Sequence, residues 1–246
     1  MGIRSRVINF KKKLLHGFEK EGNRSYSQFG EDVIIGTIFY ILRHPHINYL
    51  DIGANFPKHF SNTYYFYKRG CKGVCIEPDE ELYRYYKKVR PEDKVYNIGI
   101  GTGEQDEIKQ FFFYKGHRKG LNTFSEERLV HNEAAGSEAP QVANVTLRNI
   151  NRIIEENFTA SPDFISIDIE GLDLDVLRTL DFEKYSPGVI CCEITRVDEN
   201  NDIAENTELK NFLISKGYFE YANTFINGIF VHASLKKQLC TINNWY

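Results

Sequence analysis

The chain has 246 residues, 41% of them hydrophobic and 26% charged, a length and composition that suit one folded α/β domain with a full core. A net charge of −3 argues against a general nucleic-acid-binding field. No apolar run reaches the length of a membrane-spanning helix, and the start lacks the apolar centre of a secretory signal. Five cysteines without a CxxC pair argue against a zinc or disulfide framework and fit a reducing, cytoplasmic setting.

Residues 1–24 form a basic segment carrying Arg4, Arg6, Lys11, Lys12, Lys13, Lys20 and Arg24. Its expected role is a solvated helix or leader, with weak contact to an anionic membrane surface as the sharper alternative. The domain proper is expected over 25–246. There the apolar spacing predicts a helix over 29–43, a strand over 47–52, a helix over 58–69, a strand over 73–77 and a tyrosine-rich helix over 79–89. A strand over 94–98 and an added strand over 107–114 follow. The polar stretch 115–143 reads as a loop of the length used for lids and substrate-binding segments. Then come a helix at 146–157, a strand at 163–168, a helix at 173–181, a strand at 187–194 and a helix at 206–216. A closing pair near 218–223 and 227–232 has the spacing of an edge hairpin. This alternation predicts a Rossmann-like, mostly parallel sheet with helices on both faces and an antiparallel edge hairpin.

Two stretches carry the chemistry. Asp51-Ile52-Gly53-Ala54-Asn55 reads as strand, tight turn, helix. Gly73-Val74-Cys75-Ile76-Glu77 reads as a strand ending in a carboxylate, which can accept both hydroxyls of a ribose. An acid in the first turn would repel the pyrophosphate of a dinucleotide. It suits a ligand with an adenosine end and a cationic amino-acid end, which is S-adenosylmethionine. A nicotinamide-dependent sugar oxidoreductase and a non-catalytic nucleotide-binding subunit of a polysaccharide assembly are the alternatives. Gly99-x-Gly101-x-Gly103 imitates a phosphate fingerprint, but no helix follows it, so a flexible turn beside the cofactor is expected.

Ser166-Ile167-Asp168-Ile169-Glu170-Gly171 ends one strand, and Glu193 ends the next. Asp168, Glu170 and Glu193 are thus expected to cluster beyond neighbouring strand ends. There they would supply a base for a hydroxyl or, less favoured, hold a divalent metal. His59, beside the first turn, and His117, in the long loop, are the histidines placed to move a proton or touch substrate.

Ser25-Tyr26-Ser27-Gln28-Phe29-Gly30-Glu31-Asp32 resembles the opening motif of FkbM-family methyltransferases. The likeness continues through Asp51–Asn55, Phe60–Tyr64, Gly73–Pro78, Leu121–Phe124 and Asp163–Gly171. The resemblance implies a class I methyltransferase fold and S-adenosylmethionine-dependent O-methylation of a sugar or nucleotide-sugar hydroxyl, often in surface polysaccharides. It implies that Gln28, Asp51, Gly53, Asn55 and Glu77 bind the cofactor. It places Asn62, Thr63, Asn122 and Asp168 on the acceptor side. Phe56 stands where the nearest subgroup has His; either His59 takes that role or the role is absent.

Overall fold

A computed structural model describes residues 24–126, 129, 139–197 and 203–240. The basic segment expected over 1–24 therefore lies outside the described residues except for Arg24, as does most of the stretch 127–138. The elements in chain order are α1 (Glu31–Ile41), β1 (Asn48–Ile52), α2 (Tyr64–Tyr67), β2 (Lys72–Ile76), α3 (Glu80–Val89), β3 (Lys94–Tyr96), β4 (Gly99–Gly101) and β5 (Glu107–Phe113). A 3₁₀ turn (Gly116–Leu121) leads towards β6 (Gln141–Asn149), α4 (Ile150–Asn157), β7 (Phe164–Ile167), α5 (Asp173–Thr179) and β8 (Val189–Glu193). The chain continues with β9 (Thr195–Val197), β10 (Ile203–Glu205), α6 (Thr207–Ser215), β11 (Tyr218–Asn223), β12 (Asn227–His232) and α7 (Lys236–Cys240).

Seven strands form the main sheet in the order β11-β12-β8-β7-β1-β2-β3. β8, β7, β1, β2 and β3 run parallel, and β12 pairs antiparallel with both β8 and β11. The strands alternate strictly between two cores. Leu50, Ile52, Ile76, Ile165, Ile167 and Ile190 pack with Ile153 of α4, Leu177 of α5 and Leu213 of α6 on one face. Tyr49, Cys75, Phe164, Val189 and Cys191 pack with Ile38 of α1, Phe66 of α2 and Tyr86 of α3 on the other. Each fully buried Ile or Leu contributes about 1.5–3 kcal/mol, and a one-residue slip would exchange the two cores. The strand order reverses at β1: the chain moves outward through β2 and β3, then returns to place β7 on the other side. In open α/β sheets a ligand crevice forms beyond the strand ends at such a reversal.

Three expectations need correction. The helix expected over 58–69 is confined to Tyr64–Tyr67. Asn55 and Phe60 have left-handed backbones (φ 48° and 54°), and the buried Arg90 side chain binds the intervening segment, which keeps it irregular. Gly99–Gly101 is not a turn but the buried strand β4, parallel to β6. A side chain at Gly99 would come within 2.5 Å of Leu147 and 2.7 Å of Phe124, so the glycine is there for close packing. The helix expected from 146 starts at Ile150, because 141–149 form β6, paired antiparallel with β5 over Glu107–Phe113. Asn149 ends that strand and caps α4 with its side chain. The added strand thus belongs to a second sheet, β4-β6-β5, with its own small core of Phe111, Phe124, Val145 and Leu147.

Candidate active site

The reversal point brings β1 and β7 together where both strands end. Asp168 donates its amide to Ile52 O at 3.0 Å. Gly53 follows with φ +75°, and a Cβ built on it would lie 1.9 Å from the Asp168 carbonyl oxygen. Only glycine meets both conditions. On the other side of the turn, the amides of Gly53 and Ala54 both donate to Ile76 O at 3.1 Å. Tyr86 of α3 donates its hydroxyl to Ala54 O at 2.8 Å.

Glu77 lies just past β2 and is buried. Its Oε2 accepts from the Asn55 amide at 2.7 Å and its Oε1 from the Asp79 amide at 2.7 Å. Burial pushes its carboxyl up to about 8, against those two amides, which favour the charged form. Each oxygen retains a lone pair beyond the amide it accepts, so the group can still take a pair of hydroxyl donors. Asn97 fixes the backbone here by donating to the carbonyls of Glu77 and Pro78. Asn55 adds a second observation: its Oδ1 is buried and has no hydrogen-bond partner. A turn made by glycine, an acceptor pair from Glu77 and an unmatched amide oxygen fit an adenosine-bearing cofactor, with Gly53, Asn55 and Glu77 as the residues that would hold it.

Asp51 points from β1 to the opposite face from Ile52. It is buried and accepts from Thr63 Oγ1 at 2.5 Å. Thr63 in turn accepts from Arg90 Nη2 at 2.9 Å. Arg90 has no exposed surface; its Nε donates to Asp93 Oδ2 at 2.7 Å and its Nη2 to the Tyr49 hydroxyl at 3.0 Å. Its Nη1 reaches Ser61 Oγ at 3.3 Å and Pro57 O at 3.5 Å. Burial raises the Asp51 carboxyl above the ordinary range, while the Arg90 guanidinium and the Thr63 hydroxyl pull it down. Thr63 was expected beside the acceptor; it is instead enclosed in this network. Nothing in the Lys-Lys-Val-Arg sequence distinguishes Arg90 from a solvated basic helix end, so sequence reasoning missed it.

Past β7 and β8 lies an acidic rim. The two strands pair in register, Ile167 with Cys192, which places Asp168 and Glu193 at adjacent strand ends. Glu193 accepts from Thr195 Oγ1 at 2.6 Å. Consecutive positive φ values at Glu170 (54°) and Gly171 (96°) swing the chain from β7 into α5. Asp173, which the sequence did not single out, is buried with Oδ1 unpartnered. Burial, with Glu193 and then Glu170 nearby, holds its carboxyl well above the usual range. Among the described residues no three His, Cys, Asp or Glu are arranged to hold a metal ion.

The remaining candidates scatter. Asn62 donates to Ser166 Oγ at 3.1 Å, on β7 two residues before Asp168. Asn122, expected near the acceptor, accepts from the Tyr114 amide at 2.9 Å and reaches Asp79 Oδ2 at 3.4 Å, on the Glu77 side of the crevice. Asp79 caps α3 through the amides of Glu81 and Leu82 and forms an ion pair with the buried Lys119 at 2.5 Å. The His117 side chain lies outside the described residues. His59 is exposed and lines a surface depression with Tyr26 and Lys68. Gln28 is also exposed. The acids beside it are structural: Asp32 accepts from Ser25, Ser27 and the Tyr26 amide, and Glu31 accepts from Thr224 and Asn227, tying α1 to the turn before β12.

A parallel sheet reversed at β1, a glycine turn at that reversal and a buried acid after β2 fit the cofactor crevice of a class I S-adenosylmethionine-dependent methyltransferase, and the family match makes the chain one. The family model described as "Methyltransferase FkbM domain" matches residues 51–220, more than half of the chain, and the chain belongs to that family. Membership sets aside the nicotinamide alternative. The chain is also similar to a TehB-like methyltransferase from Corynebacterium glutamicum, with 12% identity, a TM-score of 0.41 and coverage of 93% of this chain and 99% of that one. A Bacillus cereus O-methyltransferase in complex with S-adenosylhomocysteine has 12% identity, 89% coverage of both chains and a TM-score of 0.41. A Burkholderia thailandensis 1,6-didemethyltoxoflavin-N1-methyltransferase has 8% identity, 94% and 89% coverage and a TM-score of 0.41. No curated protein matches the chain. Among the described residues no helix is long and apolar enough to cross a membrane.

Proposed function

We propose that this methyltransferase acts on a hydroxyl of a sugar or nucleotide sugar, in the building of a surface polysaccharide. The observation that carries the reading is the acidic rim directly across from the glycine turn: Asp168 packs its backbone on Gly53, and Glu193 stands at the adjacent strand end. Carboxylates accept and do not donate, so a rim of them suits an acceptor that presents several O–H donors. Asp173, whose carboxyl burial holds well above the usual range, lies beside them.

When bound, S-adenosylmethionine supplies an electrophilic methyl group on a positively charged sulfur. Gly53, Asn55 and Glu77 hold the adenosine side, and Asp51 places negative charge under the turn. Gln28 is assigned to the cofactor by family likeness. Asp168 is the proposed base for the acceptor hydroxyl, with Glu193 orienting a second hydroxyl; Asn62 and Asn122 set the walls. A base at this position is worth about 10²–10⁴-fold in rate. The test is transfer of radiolabelled methyl from S-adenosylmethionine to a panel of nucleotide sugars, free sugars and small phenols. Labelling of a sugar with loss of turnover in Asp168→Asn supports the reading. Labelling confined to phenols refutes it.

A further inference from the structure

Between the loop before α1 and the segment after the cofactor turn lies a depression of about 460 Å³. Arg24, Lys58, His59 and Lys68 line it, and none of the described residues lining it is acidic. The chain as a whole carries net charge −3, so three cationic side chains around one hollow, with His59 beside them, are a local reversal. Asp32, behind the hollow, is buried and accepts from Ser25, Ser27 and the amides of Tyr26 and Val33.

The hollow is also aromatic. Tyr26 and Tyr64 meet edge to face at 4.8 Å between centroids, and Tyr26 accepts from Lys68 Nζ at 3.1 Å. Phe60 is 68% exposed, presented to solvent by a left-handed backbone that costs a non-glycine residue energy. Cations around a hollow with an exposed ring at its rim suit a ligand that joins an anion to a flat or ring-shaped body.

Position connects this hollow to the reaction. Ser61 donates its amide to Tyr26 O at 3.0 Å, and the next residue, Asn62, reaches Ser166 on β7. The segment 57–62 therefore has the hollow on one side and the strand that leads into Asp168 on the other. We propose that this depression is a subsite for the phosphate or diphosphate of an activated-sugar acceptor, held by Arg24, Lys58, His59 and Lys68 with the organic part against Phe60. The proposal rests on the sugar-acceptor reading above and makes the phosphorylated form the substrate. It gives His59 the role of an anion ligand, separate from the base.

Calorimetry on the full chain saturated with S-adenosylhomocysteine tests it, using inorganic pyrophosphate and uridine diphosphate as probes. Both probes should bind. Lys58→Gln and Arg24→Gln should each weaken binding by about tenfold, the loss expected for one charged hydrogen bond. Phe60→Ala should weaken uridine diphosphate more than pyrophosphate. Lys236→Gln, at a surface helix elsewhere, should change neither, and S-adenosylhomocysteine affinity should be unchanged throughout, which also reports that each variant is folded. Failure of both probes to bind, or binding indifferent to Lys58 and Arg24, overturns the subsite. So does Lys58-dependent sedimentation with phosphatidylserine vesicles while neither probe binds, which would make the patch a membrane contact. The two readings fail separately. Methylation of neutral sugars without anion binding refutes the subsite alone, whereas Lys58-dependent anion binding without methylation of any sugar upholds the subsite and refutes the acceptor.

Discussion

The amide of Asn55 donates to Oε2 of Glu77 at 2.7 Å, so the carboxylate proposed to receive a ribose also holds the shape of the turn after β1. The two ends of the cofactor site are therefore mechanically one piece. Glu77→Ala is expected to weaken S-adenosylhomocysteine binding by roughly 2–4 kcal/mol, more than the ribose bonds alone would give, because the turn loosens as well. Calorimetry measures it, and an unchanged dissociation constant would remove Glu77 from the site.

The same residue sets a pH dependence. Its carboxyl is pushed from an ordinary 4.5 to about 8 in the folded protein. A folded-state value above the unfolded one stabilises the fold fully below about 4.5 and loses that contribution as pH rises through about 8. The whole effect is on the order of 5 kcal/mol. The ligand-free protein should therefore lose stability to urea between pH 5 and 9, other groups held equal, and Glu77→Gln should flatten that slope. Ribose hydroxyls favour the charged form, so cofactor affinity should rise over the same range and level off above about 8. A flat wild-type affinity profile between pH 6 and 9 would contradict this.

Gly53→Ala puts a methyl group where the Asp168 carbonyl lies 1.9 Å away, at φ +75°. The turn must move off β7. Loss of cofactor binding by more than about a hundredfold is expected, equivalent to roughly 2.7 kcal/mol. A variant that binds S-adenosylhomocysteine as the wild type does would show that the contact with β7 does not shape the site.

Arg90→Met removes the cation from a pair without solvent access and leaves Asp93 buried and charged, with Thr63 and Tyr49 losing a donor. Breaking a buried pair in this way costs about 3–5 kcal/mol. Urea denaturation should show that loss, with weaker cofactor binding through the displaced Asp51. Arg90→Lys should recover little, since one ammonium cannot reach Asp93, Tyr49, Thr63 and Ser61 together.

Lys119→Met separates the two sides of the crevice. Lys119 pairs with Asp79, two residues past Glu77. The variant should raise the dissociation constant for S-adenosylhomocysteine several-fold and leave the acceptor KM near its wild-type value. The opposite pattern would return this loop to the acceptor side, where the sequence had placed it.

Legibility followed periodicity. The main strands and most helices were readable because an apolar side chain every second or every third to fourth residue reports burial directly, as in Leu50 and Ile52 or Leu82 and Tyr86. The turn at Gly53 and the acid at Glu77 were readable because each has a chemical signature at a strand end. What stayed hidden depends on contacts distant in sequence. Gly99 and Gly101 look like a flexible turn until Leu147 is seen packed on them. Residues 58–63 have helical spacing, but Arg90, some thirty residues later, claims their polar groups. Lys119 carries no local signal, and its burial follows from Asp79 and Glu81 waiting across the crevice.

Salt offers a selective handle on this architecture. Mobile ions weaken charge pairs that water can reach, such as Lys72 with Glu92, and would compete at the Arg24, Lys58 and Lys68 hollow. They do not reach Arg90 and Asp93, whose side chains have no exposed surface. The end of β1 that carries Asp51 is thus fastened by electrostatics that ionic strength does not loosen, while the charged hollow beside it answers to ionic strength directly. The proposed anion subsite is thus open to its ionic surroundings, and the alignment of the cofactor turn is insulated from them.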